Sequence, residues 1–362
     1  MNAAAKPFDG QHKYIRITDI DESSAAYIDK DVVSPDGELQ DSYLVKANDI
    51  LLARTGASTG KSYLYDNKDG ILYFAGFLIR VNIPSDNAYF VFSQLHLSRY
   101  RKWIGIMSAR SGQPGVNSQE YSNYPIYLPK IEEQTKIAKL LKLVDERIAT
   151  QNKIIEKLQS LIKGLIDGII TLECGQLVAF ETLYSKAGEG GTPTTSNIEF
   201  YKNGNIPFIK IDDLSNKYLS TNKDYITELG LKKSSAWLIP AHSIIYSNGA
   251  TIGAISINKY PVCTKQGILG IVPNINIDVE FLYYFMQSSY FQKEVERIVT
   301  EGTMKTAYLR DINHIKCPIP DLDRQKEISN LLSVLSLKED VEKQLLQKYQ
   351  IQKQYLLRQM FI

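Results

Sequence analysis

The pattern of apolar positions is most regular in residues 131–170, which contain no proline. Apolar side chains recur there in alternating steps of four and three residues, which is typical of a coiled-coil seam. The seam consists of Ile137, Leu141, Val144, Ile148, Gln151, Ile155, Leu158, Ile162, Leu165 and Ile169. Gln151 is its single polar member, and one polar seam residue can fix the register of a coiled coil. The pattern predicts a helix whose seam spans about 50 Å at about 1.5 Å per residue.

A second, weaker seam occurs 191 residues later, near the C-terminal end of the sequence. Its positions are Ile328, Leu332, Leu335, Glu339, Glu342, Leu346, Tyr349, Lys353, Leu356 and Met360. Two such seams on one chain predict that the two helices pair with each other as an antiparallel coiled coil. The alternative is that each helix packs only on its own globular domain.

The remaining sequence is dominated by short β-type runs, such as residues 71–81 and 251–257, separated by glycine and Asn/Asp turns. Helical patterns follow at residues 89–104 and 279–299. Motifs recur in the same order along the chain: residues 14–19 resemble 208–213, 49–60 resemble 243–253, and 129–141 resemble 320–332. The spacing drifts only between 194 and 190 residues, as loop insertions and deletions would produce. The sequence therefore predicts a duplicated domain.

The predicted fold class is α+β, with two similar domains of mixed β-sheet, each followed by a long helix, and pseudo-two-fold symmetry between the repeats. The predicted boundaries are 1–130 for the first domain, 131–170 for the central helix, 171–320 for the second domain and 321–362 for the C-terminal helix. Residues 171–194 have no counterpart before Met1, so the first domain is expected to be the shorter copy.

The glycine loop at residues 56–62 resembles a phosphate-binding loop but has three residues between its glycines, where that motif needs four. The corresponding loop at residues 249–255 keeps the glycines and lacks the Lys-Ser pair. Three interpretations remain open: a β-turn, a DNA-facing turn, or a nucleotide site of an enzyme. The DNA-facing interpretation makes candidates of Arg54, Thr55, Ser58, Thr59 and Lys61, and of Asn248 and Thr251 in the second copy.

The chain carries 42 basic and 40 acidic residues, for a formal net charge of +2. This balance excludes a nucleic-acid binder that relies on overall charge, so DNA binding would need local basic patches and base contacts. No acidic residue occurs between Asp86 and Glu120. The candidates within this stretch are Arg99, Arg101, Lys102, Arg110, Gln113 and Asn117, with Thr303 and Lys305 in the second copy. Arg, Gln and Asn pair with guanine and adenine edges, although such a helix face is often merely solvated.

No catalytic motif for methyl transfer, nuclease action or a DNA motor is present, so any chemistry is expected to belong to partner subunits. Three cysteines without a C-x-x-C pair and four scattered histidines form no zinc motif. Neither an export signal nor a membrane-spanning run is recognisable, so we expect a cytoplasmic protein without a cofactor of its own.

Three motifs together resemble the specificity subunits of Type I restriction–modification systems. They are Gly190-Gly191-Thr192-Pro193 followed by residues 206–209, the paired Gly-Ala-x-x-Gly loops, and Pro-x4-Gln-x2-Ile-x2-Leu-Leu at residues 129–141 and 320–332. The resemblance covers essentially the whole chain, although family members normally begin with a segment like residues 177–200, so a truncated or rearranged form is expected.

The resemblance implies two target-recognition domains that read a split site in double-stranded DNA. It implies helices that act as a spacer and dock two methyltransferase subunits, which methylate adenine with S-adenosylmethionine. Translocating endonuclease subunits, which use ATP and Mg²⁺, are then implied as further partners. A protein–protein scaffold with two binding modules and no DNA role is the alternative, and near-neutral net charge favours it.

Overall fold

The structure is a computed structural model that describes residues 1–22, 24–109, 113–172, 176–249, 251–299 and 305–361. The chain divides into two compact units. Unit 1 comprises Met1–Asn152 and Leu345–Ile362, and unit 2 comprises Lys153–Gln344. Each unit therefore contains one globular part, the beginning of the long helix that follows it, and the end of the other long helix.

The globular part of unit 1 is built from seven short strands and three short α-helices in its described residues, besides three 3-10 turns. In chain order these are β1 (Ala4–Pro7), β2 (His12–Ile15), β3 (Val33–Asp36), β4 (Asp49–Ala53), β5 (Ser62–Leu64), β6 (Ile71–Phe74), β7 (Leu78–Asn82), α1 (Ala88–Gln94), α2 (Ser98–Met107) and α3 (Ser118–Ser122). The first long helix, α4, spans Ile131–Leu172.

Strand β4 is the centre of the main sheet, with β5 and β7 antiparallel on its two sides. Side chains alternate across a strand, so its residues face two different cores. Ile50 and Leu52 pack with the helices of one apolar cluster, whereas Leu51 and Ala53 belong to another. Both faces are buried, which explains why the run 50–53 is apolar throughout. The strand β2 pairs in parallel with β6, and β1 pairs with β3.

Unit 2 repeats this arrangement with additional strands. Its elements are β8 (Gln176–Ala179), β9 (Tyr184–Glu189), β10 (Ile206–Ile209), β11 (Tyr218–Leu219), β12 (Asp224–Ile226), α5 (Glu228–Lys232), β13 (Ile244–Ser247), β14 (Ile255–Asn258), β15 (Cys263–Thr264), β16 (Ile268–Pro273), α6 (Val279–Gln287), α7 (Ser289–Ile298), α8 (Leu309–Ile312) and β17 (Lys316–Ile319). The second long helix, α9, spans Leu322–Met360.

The central sheet of unit 2 has the strand order β11-β14-β13-β16-β9. Strands β13, β14 and β16 correspond to β4, β5 and β7 of unit 1 by sequence and by pairing. The predicted β run at 251–257 is only partly correct, because its strand begins at Ile255. The residues before it turn back, with the Ala254 amide donating to the Thr251 carbonyl at 3.4 Å. Likewise, residues 71–81 form two strands rather than one.

The seam predicted on each long helix is the face that the structure buries. All ten seam positions of α4 and all ten of α9 are buried or half-buried. Leu141 and Leu332 are 0% and 1% exposed, and even the polar seam residues Gln151 and Glu342 are only 5% and 8% exposed. The heptad pattern therefore identified the buried face of both helices.

In unit 1, the beginning of α4 packs against the end of α9 in an antiparallel sense. Leu141 shares an apolar cluster with Leu357, and four residues further along α4 the Asp145 carboxylate lies 2.6 Å from the Lys353 ammonium. Residue numbers therefore increase along α4 in the direction in which they decrease along α9, so the two helices are antiparallel. Leu97 of the globular part joins the same cluster, which fixes the helices to the domain.

In unit 2, the end of α4 packs against the beginning of α9 in the same antiparallel sense. The Gln159 side-chain amide donates to the Glu339 carboxylate at 2.8 Å. Further along α4, Ile166 shares the main apolar cluster with Leu332, which precedes Glu339 on α9. The predicted α+β class and the antiparallel packing of the two long helices are thus confirmed.

A glutamine near the start of each long helix ties that helix to its globular part. The Gln134 side chain accepts from the Asn87 amide at 3.0 Å and donates to the Pro129 carbonyl at 2.9 Å. In unit 2, Gln325 accepts from the Asp278 amide at 2.9 Å and donates to the Pro320 carbonyl at 2.9 Å. Asn87 and Asp278 are the N-caps of α1 and α6, so the repeated Pro-x4-Gln motif joins two helix starts.

A second polar contact at equivalent positions uses different chemistry in the two units. In unit 1 the Tyr89 hydroxyl donates to Asp145 of α4. In unit 2 the equivalent residue of Tyr89 is Glu280, which pairs with Lys217 and accepts from Ser333 of α9 at 3.1 Å. Burial opposes the charge on Lys217, but hydrogen bonds with Glu280 and Tyr284 raise its pKa above the usual value, so the ion pair stays charged.

We predict that Gln134→Ala lowers the free energy of unfolding by about 1–3 kcal/mol, because it leaves the half-buried Asn87 amide without its acceptor. Gln134 is 1% exposed, whereas Gln350 on α9 is exposed, so Gln350→Ala is the matched control with the same change in helix propensity. Urea unfolding followed by circular dichroism measures both variants. Equal midpoints for the two variants would show that the glutamine contact is unimportant for stability.

Candidate nucleic-acid interface

The glycine loop of unit 1 is a closed turn between the antiparallel strands β4 and β5. The Ala53 amide donates to the Lys61 carbonyl at 2.8 Å, and the Gly60 amide donates to the Ala53 carbonyl at 3.0 Å. Gly60 has a φ of +91°, a conformation that favours glycine. A phosphate-binding loop of the P-loop class instead runs from a strand into a helix. The nucleotide-site alternative for residues 56–62 is therefore wrong.

The corresponding loop of unit 2 has the same backbone hydrogen bonds. The Ser247 amide donates to the Ala254 carbonyl at 2.8 Å, and the Gly253 amide donates to the Ser247 carbonyl at 3.0 Å. Gly253 has a φ of +99°, which matches Gly60. The second glycine of the motif thus has the same backbone conformation in both copies, while the side chains around it differ.

In unit 1, this turn is joined to the second candidate segment through the backbone. The Gly56 amide donates to the Pro114 carbonyl at 2.9 Å, and the Val116 amide donates to the Arg54 carbonyl at 2.9 Å. Thr55 forms a β-bridge with Gly115 between these two bonds. The structure therefore brings together residues 54–61 and 113–117, which the sequence had singled out separately.

Two buried tyrosines donate hydrogen bonds to backbone carbonyls of the turn. The Tyr121 hydroxyl donates to the Ala53 carbonyl at 2.7 Å, and the Tyr100 hydroxyl donates to the Gly60 carbonyl at 3.1 Å. Burial raises the pKa of Tyr121 to about 12 and raises the pKa of Tyr100 as well, so both hydroxyls remain protonated donors. The turn is consequently a platform that two side-chain hydrogen bonds anchor to the domain.

The predicted side chains on this platform differ in how much they reach solvent. Arg54 and Gln113 are exposed, and Thr55, Ser58 and Lys61 are half-buried. The Lys61 ammonium lies 3.9 Å from the carboxylate of exposed Glu22. Thr59 is tied to the turn itself, because its hydroxyl donates to the Gly56 carbonyl at 2.7 Å. Arg54 and Gln113 are therefore the long polar side chains of this predicted set that are exposed to solvent.

Arg99 takes a structural position rather than the predicted surface one. Its guanidinium donates to the Gln94 side chain at 2.6 Å and lies 4.7 Å from the centre of the Tyr127 ring. Arg101 and Lys102 on the same helix, α2, are exposed. The basic stretch is therefore divided, with one arginine stabilising the domain and two cations facing solvent.

Asn117 is exposed but is already engaged as the N-cap of α3. Its side chain accepts from the Glu120 amide at 2.9 Å, and Glu120 accepts from the Asn117 amide at 2.7 Å. This reciprocal arrangement is a capping box, which the Asn-x-x-Glu spacing could have indicated from the sequence. Its prediction as a DNA contact overlooked that local role.

In unit 2, Asn248 is 1% exposed and its side-chain amide donates to the Ala307 carbonyl at 3.1 Å. The prediction of Asn248 as a DNA contact is therefore wrong, because an enclosed side chain has no exposed surface that a base could contact. Thr251 and Lys305 are exposed. The remaining candidates, Arg110 and Thr303, lie outside the described residues.

Phe77 is a residue beside the turn that the sequence analysis missed. Its carbonyl accepts from the Arg54 amide at 3.1 Å, and its side chain is 64% exposed. An aromatic ring at such a position can contact a thymine methyl group. Its position after Ala75-Gly76 in a short turn between strands is the sequence signal that could have indicated exposure.

No group of three or more His, Cys, Asp or Glu side chains suited to a metal ion occurs among the described residues. Within the same part of the chain, no helix is both long and apolar enough to cross a membrane.

The comparisons with known proteins agree on one family. The profile described as Type I restriction modification DNA specificity domain matches residues 1–160 and 184–349. The chain is 28% identical over 342 residues to the MjaVIII specificity subunit of Methanocaldococcus jannaschii, a match that covers 86% of this chain and 77% of that protein. It is 26% identical over 246 residues to the EcoR124I/EcoR124II specificity subunit of Escherichia coli, covering 64% and 61%.

Solved structures agree at the level of the fold. The Type I restriction–modification S subunit from M. genitalium superimposes with a TM-score of 0.60 at 16% identity, covering 99% of this chain and 90% of that one. A structure of the type I R-M system, solved for its complex assembly and conformational transition, gives a TM-score of 0.60 at 15% identity, covering 96% and 90%.

The chain belongs to the Type I restriction–modification DNA specificity family. It is a non-catalytic specificity subunit, a class of protein that reads DNA target sites and assembles with the other subunits of its system. This membership decides against the alternative of a scaffold with no role at DNA.

Proposed function

We propose that the predicted target-recognition domains, residues 1–130 and 171–320, each read one half of a two-part sequence in double-stranded DNA. The observation that carries this proposal is the turn built twice on the same backbone bonds with different side chains. Lys61 of the first turn corresponds to Ala254 of the second, and exposed Arg54 corresponds to enclosed Asn248. A backbone turn that carries different side chains in the two domains is suited to reading two different half-sites.

We propose direct contacts to DNA from the exposed and half-buried candidates around the first turn. Arg54 and Gln113 have the length and donors to reach base edges, and Lys61 is suited to a phosphate. Arg101 and Lys102 on α2 add exposed positive charge in a stretch without acidic residues. The formal net charge of +2 makes non-specific attraction weak, so these local groups carry more of the affinity.

The long helices are suited to act as a spacer between the two reading domains. Helix α4 has 42 residues, which corresponds to about 63 Å at about 1.5 Å per residue. One turn of DNA is roughly 34 Å, so the two half-sites should be separated by several unread base pairs.

We further propose that two methyltransferase subunits dock on the helices, one for each repeat. Leu140 and Leu143 on α4 are 41% and 50% exposed, and their equivalents on α9, Leu331 and Val334, are 50% and 66% exposed. A pair of exposed apolar side chains kept at equivalent positions of both helices suits two copies of one partner. S-adenosylmethionine would be held by these partners, and ATP and Mg²⁺ by translocating endonuclease subunits. The assembled complex would act in the cytoplasm, where its DNA substrate lies.

The split-site proposal predicts that replacing residues 176–319 with those of another family member changes one half of the methylated adenine motif. The reciprocal replacement of residues 1–128 is the control and should change only the other half. Long-read methylation mapping of cells that carry each chimera with the methyltransferase measures the motif. A single replacement that alters both halves, or neither, would contradict the proposal.

The contact proposal predicts that Arg54→Ala weakens binding of the methyltransferase complex to its target DNA by about tenfold, or about 1–3 kcal/mol. Lys68 has the same charge and is 74% exposed but lies outside the turn, so Lys68→Ala should remain within about twofold of the parent. Competition binding at fixed salt compares the two. Equal losses would mean that only overall charge matters.

The docking proposal predicts that Leu140→Glu with Leu143→Glu leaves a complex with one methyltransferase subunit instead of two. Charged residues at the centre of such an interface would have to be desolvated. Ile351 is 69% exposed on α9 but aligns with Ser160 on α4, so Ile351→Glu should retain two subunits. Native mass spectrometry reads the stoichiometry, and two subunits on the double variant would refute this surface.

A further inference from the structure

The glycine turn of unit 2 lacks the two side chains that are proposed to read bases in unit 1. The position of Arg54 is held by Asn248, which is 1% exposed. Counting back from the equivalent backbone bonds, the position of Gln113 is held by Met304, which lies outside the described residues. A methionine side chain has no hydrogen-bond donor. Reading of a base by the second domain therefore needs a polar side chain at another position.

The connection between strands β15 and β16, residues 265–267, exposes long polar side chains beside this turn. Lys265 and Gln266 are both exposed. The Asn248 amide donates to the Gly267 carbonyl at 3.1 Å, so the connection lies directly against the turn. The first glycine of the turn, Gly249, is equally close, because a β-carbon on it would lie 3.4 Å from the Gly267 Cα atom.

In unit 1 the equivalent connection has no polar side chain to offer. The Arg54 amide donates to the Phe77 carbonyl at 3.1 Å, which is the counterpart of the bond just described. Ala75 and Gly76 therefore stand where unit 2 has its exposed lysine and glutamine. Ala75 is 7% exposed, and a glycine has no side chain. The long polar side chains thus follow β4 in unit 1 but precede β16 in unit 2.

The Gly-Gly-Thr-Pro motif supports the backbone of this connection. A β-carbon on Gly190 would lie 2.1 Å from the Thr264 carbonyl oxygen, so the close approach of these two segments requires glycine. The Gln266 amide donates to the Thr192 hydroxyl at 3.5 Å. The motif that carried the family resemblance therefore lies against the residues that present Lys265 and Gln266.

The side chain of Gln266 is available for a ligand although its backbone is held. The described residues give it no side-chain hydrogen bond. The next residue, Gly267, donates its amide to the Glu189 carboxylate at 2.7 Å and has a φ of +85°. A free side chain on a fixed backbone is suited to recognition, because little order has to be gained on binding.

We propose that Gln266 reads an adenine in the half-site of the second domain and that Lys265 contacts a neighbouring phosphate. This inference rests on the proposed split-site reading and assigns the residues of its second half. A glutamine amide pairs bidentately with the N6 and N7 atoms of adenine in the major groove. A lysine beside it supplies a charge that positions the backbone without specifying sequence. The two domains would then read DNA from different strand ends of one related sheet.

The test is competition binding at fixed salt by the methyltransferase complex that contains the full 362-residue chain. The probes are a duplex with the motif found by methylation mapping and duplexes changed at one base pair each. Gln266→Ala should weaken binding to the parent duplex at least tenfold. It should also remove the preference at one A·T pair of the half-motif that residues 176–319 set. Gln350→Ala, an exposed glutamine on α9, is the matched control and should stay within about twofold.

Lys265→Ala has a different expected signature. It should weaken binding to all the duplexes by the same factor and lower the salt dependence of binding by about one unit of slope. A preference lost at one base pair on Lys265→Ala would contradict its phosphate role.

Three outcomes for Gln266→Ala overturn the inference: a preference lost at no base pair, at a G·C pair, or only in the half-motif that residues 1–128 set. If the chimera of residues 176–319 changes a half-motif that Gln266→Ala leaves intact, this inference alone is wrong. If that chimera changes neither half, the split-site proposal is wrong as well. The two failures are therefore distinguishable.

Discussion

The burial of the heptad seams is the constraint on which both units depend. A helix with a continuous apolar seam cannot bury it without a partner of similar length. Each unit meets this requirement by combining the beginning of its own long helix with the end of the helix from the other repeat. Leu141 with Leu357 in unit 1, and Ile166 with Leu332 in unit 2, are the resulting contacts and shared clusters. Each compact unit therefore combines residues from both repeats, although the sequence is duplicated.

The position of the glycine turn in unit 1 follows from a short chain of contacts that begins at the long helix. The buried glutamines Gln134 and Gln325 fasten the start of each long helix to the N-cap of a globular helix. In unit 1, Tyr100 on the next helix then holds the Gly60 carbonyl of the turn. In unit 1, the long helix and the turn are thus both tied by hydrogen bonds to the helices α1 and α2.

Much of this fold was predictable because its signals are periodic or repeated. The seams predicted the buried faces of α4 and α9, and the duplicated motifs predicted two related α+β parts. The individual contact residues were harder, since side-chain direction depends on neighbours distant in sequence. Arg99 is drawn inward by Gln94 and Tyr127, and Asn248 is enclosed by the segment at Ala307. Strand boundaries such as Ile255 depended on the turn before them, where β-type residues adopt a tight bend.

The ion pair between Asp145 and Lys353 has a consequence for which helices can associate. The residue of α4 that corresponds to Lys353 is Ile162, so an antiparallel pair of two α4 helices would set the Asp145 carboxylate against an aliphatic side chain. Such a carboxylate would lose its hydration without gaining a counter-ion. The single lysine thereby favours pairing of the first helix with the second over pairing with another copy of itself.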